Sequence, residues 1–206
     1  MKTTLSILSL VLILNCSGFA QVKTGIEVLR DRNFDVLQGK RVGLITNPTG
    51  VDSKLRSTID ILANAEGVTL TAMYGPEHGV RGDFSAGDKV ETYVDEKTSI
   101  TVYSLYGKTS RPTKEMMKDI DVLVFDIQDI GSRSYTYIST MGLAMDAAAE
   151  FGKEFVVLDR PNPVNGLKIE GNIAEPGFFS FVSQFPIPYL HALTVGELAL
   201  LLNGEQ

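Results

Sequence analysis

Asp121-Val122-Leu123-Val124-Phe125-Asp126 decides how the rest of the chain is read. Four apolar residues in succession, three of them β-branched or aromatic, predict a strand buried on both faces. A strand is buried that way in a parallel sheet covered by helices on both sides. Working outward, strand and helix signals alternate. Downstream, residues 135–151 predict a long helix with Ile138, Met141, Ala144, Met145 and Ala148 on one stripe, and Phe155-Val156-Val157-Leu158 predicts another strand. Pro176, Pro186 and Pro188 exclude regular helix between 167 and 190, and Thr194-Val195-Gly196-Glu197 is a capping box opening an apolar helix over 198–202. Upstream, strands are expected over 41–47, 68–73 and 100–105, and short helices over 25–32 and 113–119. A longer helix is expected over 54–65, capped by Asp52 or Ser53, with Leu55, Ile59 and Leu62 at helical spacing. This alternation predicts an α/β fold: Rossmann-like, a mostly parallel sheet with helices on both faces and right-handed crossovers.

The 206 residues are 44% hydrophobic and 21% charged with a formal net charge of −6, enough for one substantial core. No stretch concentrates Lys and Arg, so nucleic acid and anionic membrane surfaces are excluded as expected partners. Lys2, an apolar run over 5–14 and Gly18-Phe19-Ala20 together predict a signal peptide over 1–20, cut after Ala20, and export to the periplasm or beyond the cell. That run is too short to span a bilayer and no transmembrane segment is expected. Cys16 is the single cysteine; lipid anchoring there is the competing reading, against which Asn15 stands where a small residue is required. The remaining 21–206 is expected to form one Rossmann-like domain.

In a parallel sheet the loops after Asn47, Tyr74, Asp126 and Asp159 leave at one edge, the carboxyl edge, where such folds keep their ligands. The loop Tyr74-Gly75-Pro76-Glu77-His78-Gly79-Val80-Arg81-Gly82-Asp83 fixes two carboxylates, an imidazole and a guanidinium among three glycines and a proline. It continues polar through Gly87-Asp88-Lys89. Dinucleotide binding lacks its Gly-x-Gly-x-x-Gly, the Walker loop is missing, and Gly131-Ser132-Arg133-Ser134 has the wrong order for a nucleophile elbow. Two histidines, His78 and His191, are too few to suggest a metal centre, and neither a metal nor a cofactor is expected. His191 reads as a packed or capping residue.

Carboxylates remain. Glu77, Asp83, Asp126, Asp129 and Asp159 fall at or near the crevice, and a carboxyl pair suits general acid/base work on an acetal. For Asp126 and Asp159 the alternative is structural, a strand-end carboxylate accepting bonds from the next loop. Arg81, Arg133 and Arg160 suggest capture of a substrate carboxylate, or else neutralisation of nearby aspartates. Tyr135 and Tyr137 read either as sugar-stacking faces or as core.

Four ordered motifs carry a family resemblance: Gly43-Leu44-Ile45-Thr46-Asn47-Pro48-Thr49-Gly50; Gly75-Pro76-Glu77-His78-Gly79; Phe125-Asp126-Ile127-Gln128-Asp129-Ile130-Gly131-Ser132-Arg133 with Tyr135-Thr136-Tyr137; and Leu158-Asp159-Arg160-Pro161-Asn162-Pro163. With them the chain resembles the N-terminal part of the NamZ-type exo-β-N-acetylmuramidases, from Gly25 onward. The resemblance implies a secreted hydrolase releasing N-acetylmuramic acid from the non-reducing end of peptidoglycan fragments. It implies Glu77 as the favoured catalytic residue; His78, Asp126 and Asp129 are further catalytic candidates by their place in the crevice. Asn47, Arg81, Gln128, Arg133, Tyr135, Tyr137, Arg160 and Asn162 are the substrate-binding candidates, the arginines for the lactyl carboxylate. Family members also carry a smaller C-terminal domain that this sequence does not include. Two other functions compete: a non-catalytic wall-binding module, which the absence of Trp disfavours, and an esterase or amidase, which lacks a nucleophile.

Overall fold

The computed structural model describes residues 22–85 and 90–204; the expected signal peptide, Cys16 and the Gly87-Asp88-Lys89 part of the Glu77 loop lie outside them. Six strands form one sheet: β1 (Arg41–Thr46), β2 (Thr69–Gly75), β3 (Tyr93–Val94), β4 (Thr101–Ser104), β5 (Val122–Asp126) and β6 (Glu154–Val157). Their order is β3-β4-β2-β1-β5-β6, parallel throughout except for the short antiparallel β3 on β4. Successive side chains of a strand point to opposite faces, so β5 divides between two cores. Val122 and Val124 face a layer with Ile26, Leu29, Ile59 and Leu62, from helices α1 (Gly25–Asp31) and α2 (Thr58–Ala63). Leu123 and Phe125 face Ile138, Met141, Ala144, Leu198 and Leu202, from α3 (Tyr137–Glu150) and α4 (Val195–Gly204). The strand is buried on both sides, as an all-apolar run requires.

Three elements differ from expectation. Helix α2 begins at Thr58, not 54, because the buried Asp52 carboxylate gathers the Lys54 and Arg56 amides at 2.9 Å each into a tight loop. Leu55 then takes φ +59° and stands 81% exposed, off the helical stripe; Ser57 caps instead, its hydroxyl accepting the Ile59 N–H at 3.2 Å. Residues 114–119 form turns rather than a helix: Met117 N–H makes a helical bond to Thr113 O at 3.1 Å, but the chain must extend again by Val122. The two-residue β3 carries no sequence signal and forms as an edge addition. The capping box is present: Thr194 N–H reaches Glu197 at 2.9 Å and Glu197 N–H returns to Thr194 Oγ1 at 3.2 Å. No helix among the described residues is long and apolar enough to cross a membrane.

The chain passes from β1 to β2 and β4 on one side, then crosses to β5 and β6 on the other. The switch point therefore lies outside the carboxyl ends of β1 and β5.

Candidate active site

The four expected loops do adjoin one another at the carboxyl edge. A Cβ on Gly82 would stand 2.8 Å from Pro48 Cγ, which seats the Glu77 loop against the Asn47 loop. Thr49 Oγ1 accepts the Gln128 N–H at 2.9 Å, and Gln128 Nε2 donates to Pro161 O at 2.9 Å, so the β1, β5 and β6 loops continue the row.

The switch point itself is closed by an internal ion pair. Asp126 is fully buried; one oxygen accepts Arg160 Nε at 2.6 Å and the other accepts the Thr58 hydroxyl. Arg160, also buried, gives Nη2 to Val51 O at 3.0 Å. Asp126 and Arg160 are thus engaged with each other inside the fold, which favours the structural alternative over Asp126 as a catalytic group and Arg160 as a substrate clamp. The structural alternative for Asp126 holds, with a guanidinium and a hydroxyl as its partners. Asp159 is structural too: its oxygens accept Gly196 N–H at 2.7 Å and the Thr194 hydroxyl at 2.9 Å, at the start of α4.

The other arginines are also engaged internally. Arg81 Nε lies 2.5 Å from Asp95 and its Nη2 3.3 Å from Asp60. The guanidinium beside Asp95 holds that carboxyl down from its ordinary 3.8 to about 2. Arg133 is buried, giving Nη1 to Ile187 O at 2.5 Å and Asn172 O at 2.7 Å, while its guanidinium lies 5.9 Å from the Tyr189 ring centroid. It ties down the proline-containing segment before α4. All three arginines expected to capture a lactyl carboxylate thus have internal partners, in keeping with the neutralising alternative for Arg81 and Arg160. Asn47 Oδ1 accepts the Thr49 N–H at 2.9 Å, Gln128 braces Asp129 O at 2.7 Å, and Asn162 Nδ2 donates to Leu193 O at 3.0 Å: all three hold loops. Tyr137 is buried in the core with its ring edge-on to Tyr135 at 4.8 Å, whereas Tyr135 is half-buried.

Glu77 and His78 are placed differently. Both are half-buried, on a turn closed by Gly79 N–H to Pro76 O at 3.0 Å. His78 and Gly79 have φ of +74° and +73°; glycine takes this backbone at no steric cost, while for His78 it stores on the order of 1–3 kcal/mol. Because a carbonyl only accepts, the 3.2 Å contact from His78 Nδ1 to Phe84 O puts the proton on Nδ1 and the lone pair on Nε2. The nearby Glu77 carboxylate holds the Tyr106 phenol above its ordinary pKa. Tyr106 in turn lines a cavity of about 540 Å³ with Val90, Ser104, Thr109 and Met116. A carboxyl and an imidazole thus sit side by side on one strained turn, with Tyr106 between Glu77 and the hollow, and such groups can give and take protons.

A second cluster forms on the β5/β6 side. Asp129 is buried, with Oδ2 accepting the Gly131 N–H at 2.6 Å and standing 3.4 Å from His191 Nε2. Sequence reasoning missed both His191 and Tyr106. Tyr106 could have been found, since it directly follows a predicted strand end; His191 had no local signal, because only folding brings it to Asp129. Among the described residues, no group of three or more His, Cys, Asp or Glu could hold a metal ion.

Residues 42–206 match the family described as "Exo-beta-N-acetylmuramidase NamZ, N-terminal". A Bacillus subtilis (strain 168) relative, described as "Peptidoglycan beta-N-acetylmuramidase NamZ", is 58% identical over 185 residues, taking in 90% of this chain and 45% of that protein. Two crystal structures of DUF1343 family proteins from Bacteroides fragilis NCTC 9343 share the fold. One gives a TM-score of 0.84 at 70% identity, covering 89% of this chain and 46% of the other; the second gives 0.78 at 38%, covering 90% and 48%. The chain spans about half the length of the relatives it matches.

Proposed function

The chain belongs to the exo-beta-N-acetylmuramidase NamZ family, and from that premise we propose that it acts in an exported glycoside hydrolase releasing N-acetylmuramic acid from the non-reducing end of peptidoglycan fragments. One observation carries the assignment of Glu77 as its acid/base. Among the expected carboxylates, Asp126 and Asp129 are buried and Asp159 is bonded at both oxygens to the start of α4, while Glu77 sits half-buried on a strained turn next to Tyr106, which lines an open cavity. Glu77 gives its proton to the glycosidic oxygen as the bond from that oxygen to the anomeric carbon breaks, and a water adds to that carbon with loss of its proton to solvent, from which Glu77 is reprotonated. Tyr106 steers that carboxyl, and His78 Nε2 accepts from a substrate hydroxyl or from water.

The test is Glu77→Gln in the full-length protein. The amide keeps shape and hydrogen-bonding reach but cannot donate as an acid, so turnover of an unactivated muramic acid disaccharide falls by about 10²-fold or more. An activated aryl-muramide, whose leaving group scarcely needs protonation, loses less. Near-normal release of free sugar from the disaccharide by a folded Glu77→Gln protein would return Glu77 to the status of a turn residue. Binding without any release by the unaltered protein would identify a wall-binding module instead.

A further inference from the structure

The least expected chemistry lies where the loop after β5 meets the segment entering α4. His191 Nδ1 accepts the Leu193 N–H at 3.3 Å, which places the ring proton on Nε2, the nitrogen 3.4 Å from Asp129 Oδ2. The two side chains are 1% and 8% exposed. Asp129 Oδ1 and His191 Nε2 are both buried without a hydrogen-bond partner among the described residues, so the 3.4 Å approach of Nε2 to Oδ2 is a long polar contact that ties the two segments together. Ala192, next in the chain, has φ +58°, a backbone that alanine rarely adopts, and it keeps the imidazole turned inward at that point. On the Asp129 side, Oδ2 holds the Gly131 N–H at 2.6 Å and so sets the course of the loop up to Tyr135.

That loop and the segment before His191 present hydroxyl groups side by side. Ser132 and Ser134 lie 3.2 Å apart, Ser134 Oγ is 3.0 Å from Tyr189 OH, and the half-buried Tyr135 follows. Hydroxyls that both donate and accept, next to aromatic rings, suit the hydroxyl groups and ring face of a saccharide.

We propose that His191 is a positioning residue: through Asp129 it fixes the loop bearing Ser134 and Tyr135 against the segment bearing Tyr189, and this hydroxyl row binds the saccharide. The saccharide part rests on the function proposed above; the positioning part does not. The experiment therefore has two arms on the full-length protein. In the ligand-free arm, His191→Leu speeds amide hydrogen exchange at Gly131 by about tenfold or more while leaving the Val124 amide in β5 unchanged, and His191→Gln, which restores an N–H at similar reach, returns it to normal. In the kinetic arm, His191→Leu raises KM for a muramic acid disaccharide by about tenfold with kcat within about twofold, His191→Gln restores KM, and adding Asp129→Asn to His191→Leu has little further effect.

Unchanged exchange in a folded His191→Leu protein overturns the positioning role. A loosened loop with unchanged KM overturns the saccharide row. If the unaltered protein releases no muramic acid, the proposed function fails, and the exchange arm still decides the positioning role. Should His191→Leu not fold, nitrogen NMR of the unaltered protein decides: a His191 proton found on Nδ1 alone overturns the arrangement.

Discussion

Each oxygen of the Asp126 carboxylate has an internal partner, Arg160 on one and Thr58 on the other, and both side chains of the ion pair are buried. Arg160 and Asp126 are 4% and 0% exposed in their side chains, which makes their pair one that water cannot rescue. Removing one partner of such a pair leaves an uncompensated buried charge, a loss of about 3–5 kcal/mol, far more than a surface ion pair contributes. Arg160→Met is therefore expected to lower stability by that amount in urea unfolding at neutral pH. The further change Asp126→Asn, which removes the stranded charge, should recover part of the loss. A single variant within 1 kcal/mol of the parent protein, or a double variant no better than the single, would show that the pair does not hold the switch point closed.

Helix α3 shows where a local rule yields to packing. Gly142 sits in the middle of this helix, where replacing it with Ala would ordinarily gain about 1 kcal/mol. Here a Cβ would run into the Phe185 ring, which is buried from the proline-containing segment onto the helix. Phe185 is itself packed in the core, and overpacking a filled core costs about 1–3 kcal/mol. The clash outweighs the propensity, and Gly142→Ala should lower the urea midpoint; a rise would mean that Phe185 moves aside freely. The same contest explains what could be read from the sequence. Residues 122–126, 137–150 and the Thr194 capping box were legible because apolar period and cap chemistry are local. The start of α2 was not, because the Asp52 carboxylate draws Arg30 from α1 at 2.9 Å, and nothing near residue 54 announces that partner. The candidate site divided along the same line. Glu77 and His78 announced themselves by the glycines and proline around them, whereas Arg81, Arg133, Arg160 and His191 have their roles set by groups distant in sequence.

Charge organisation across the fold sets how stability responds to acid. Several buried or half-buried carboxylates are held below their ordinary pKa by partners that only the native state supplies. Asp95 is held by Arg81, with the Thr98 hydroxyl and amide assisting. Glu27 is drawn from 4.5 to about 2 by the Ser53 hydroxyl and the Thr24 amide. For Asp52, burial pushes upward, but Arg56 and Arg30 overcome it and the carboxyl lies well below the usual range. A carboxylate whose folded pKa is depressed contributes stability that is fully present above its unfolded pKa and is lost as pH falls through the folded one. Stability should therefore be level above about pH 5 and decline from about pH 4.5 to 2. Asp95 isolates one part of that decline, because it is buried and Arg81 is its largest influence. Its shift from 3.8 to about 2 corresponds to about 2 kcal/mol. Arg81→Leu is accordingly expected to cost up to about 2 kcal/mol at pH 7, Thr98 keeping its share, and the gap from the parent protein should narrow as pH falls from 4 to 2, where Asp95 is about half protonated in the parent protein. Urea midpoints at pH 7, 4, 3 and 2 measure this directly. A gap that stays constant down to pH 2 would place the contribution of Arg81 in packing rather than in its charge on Asp95.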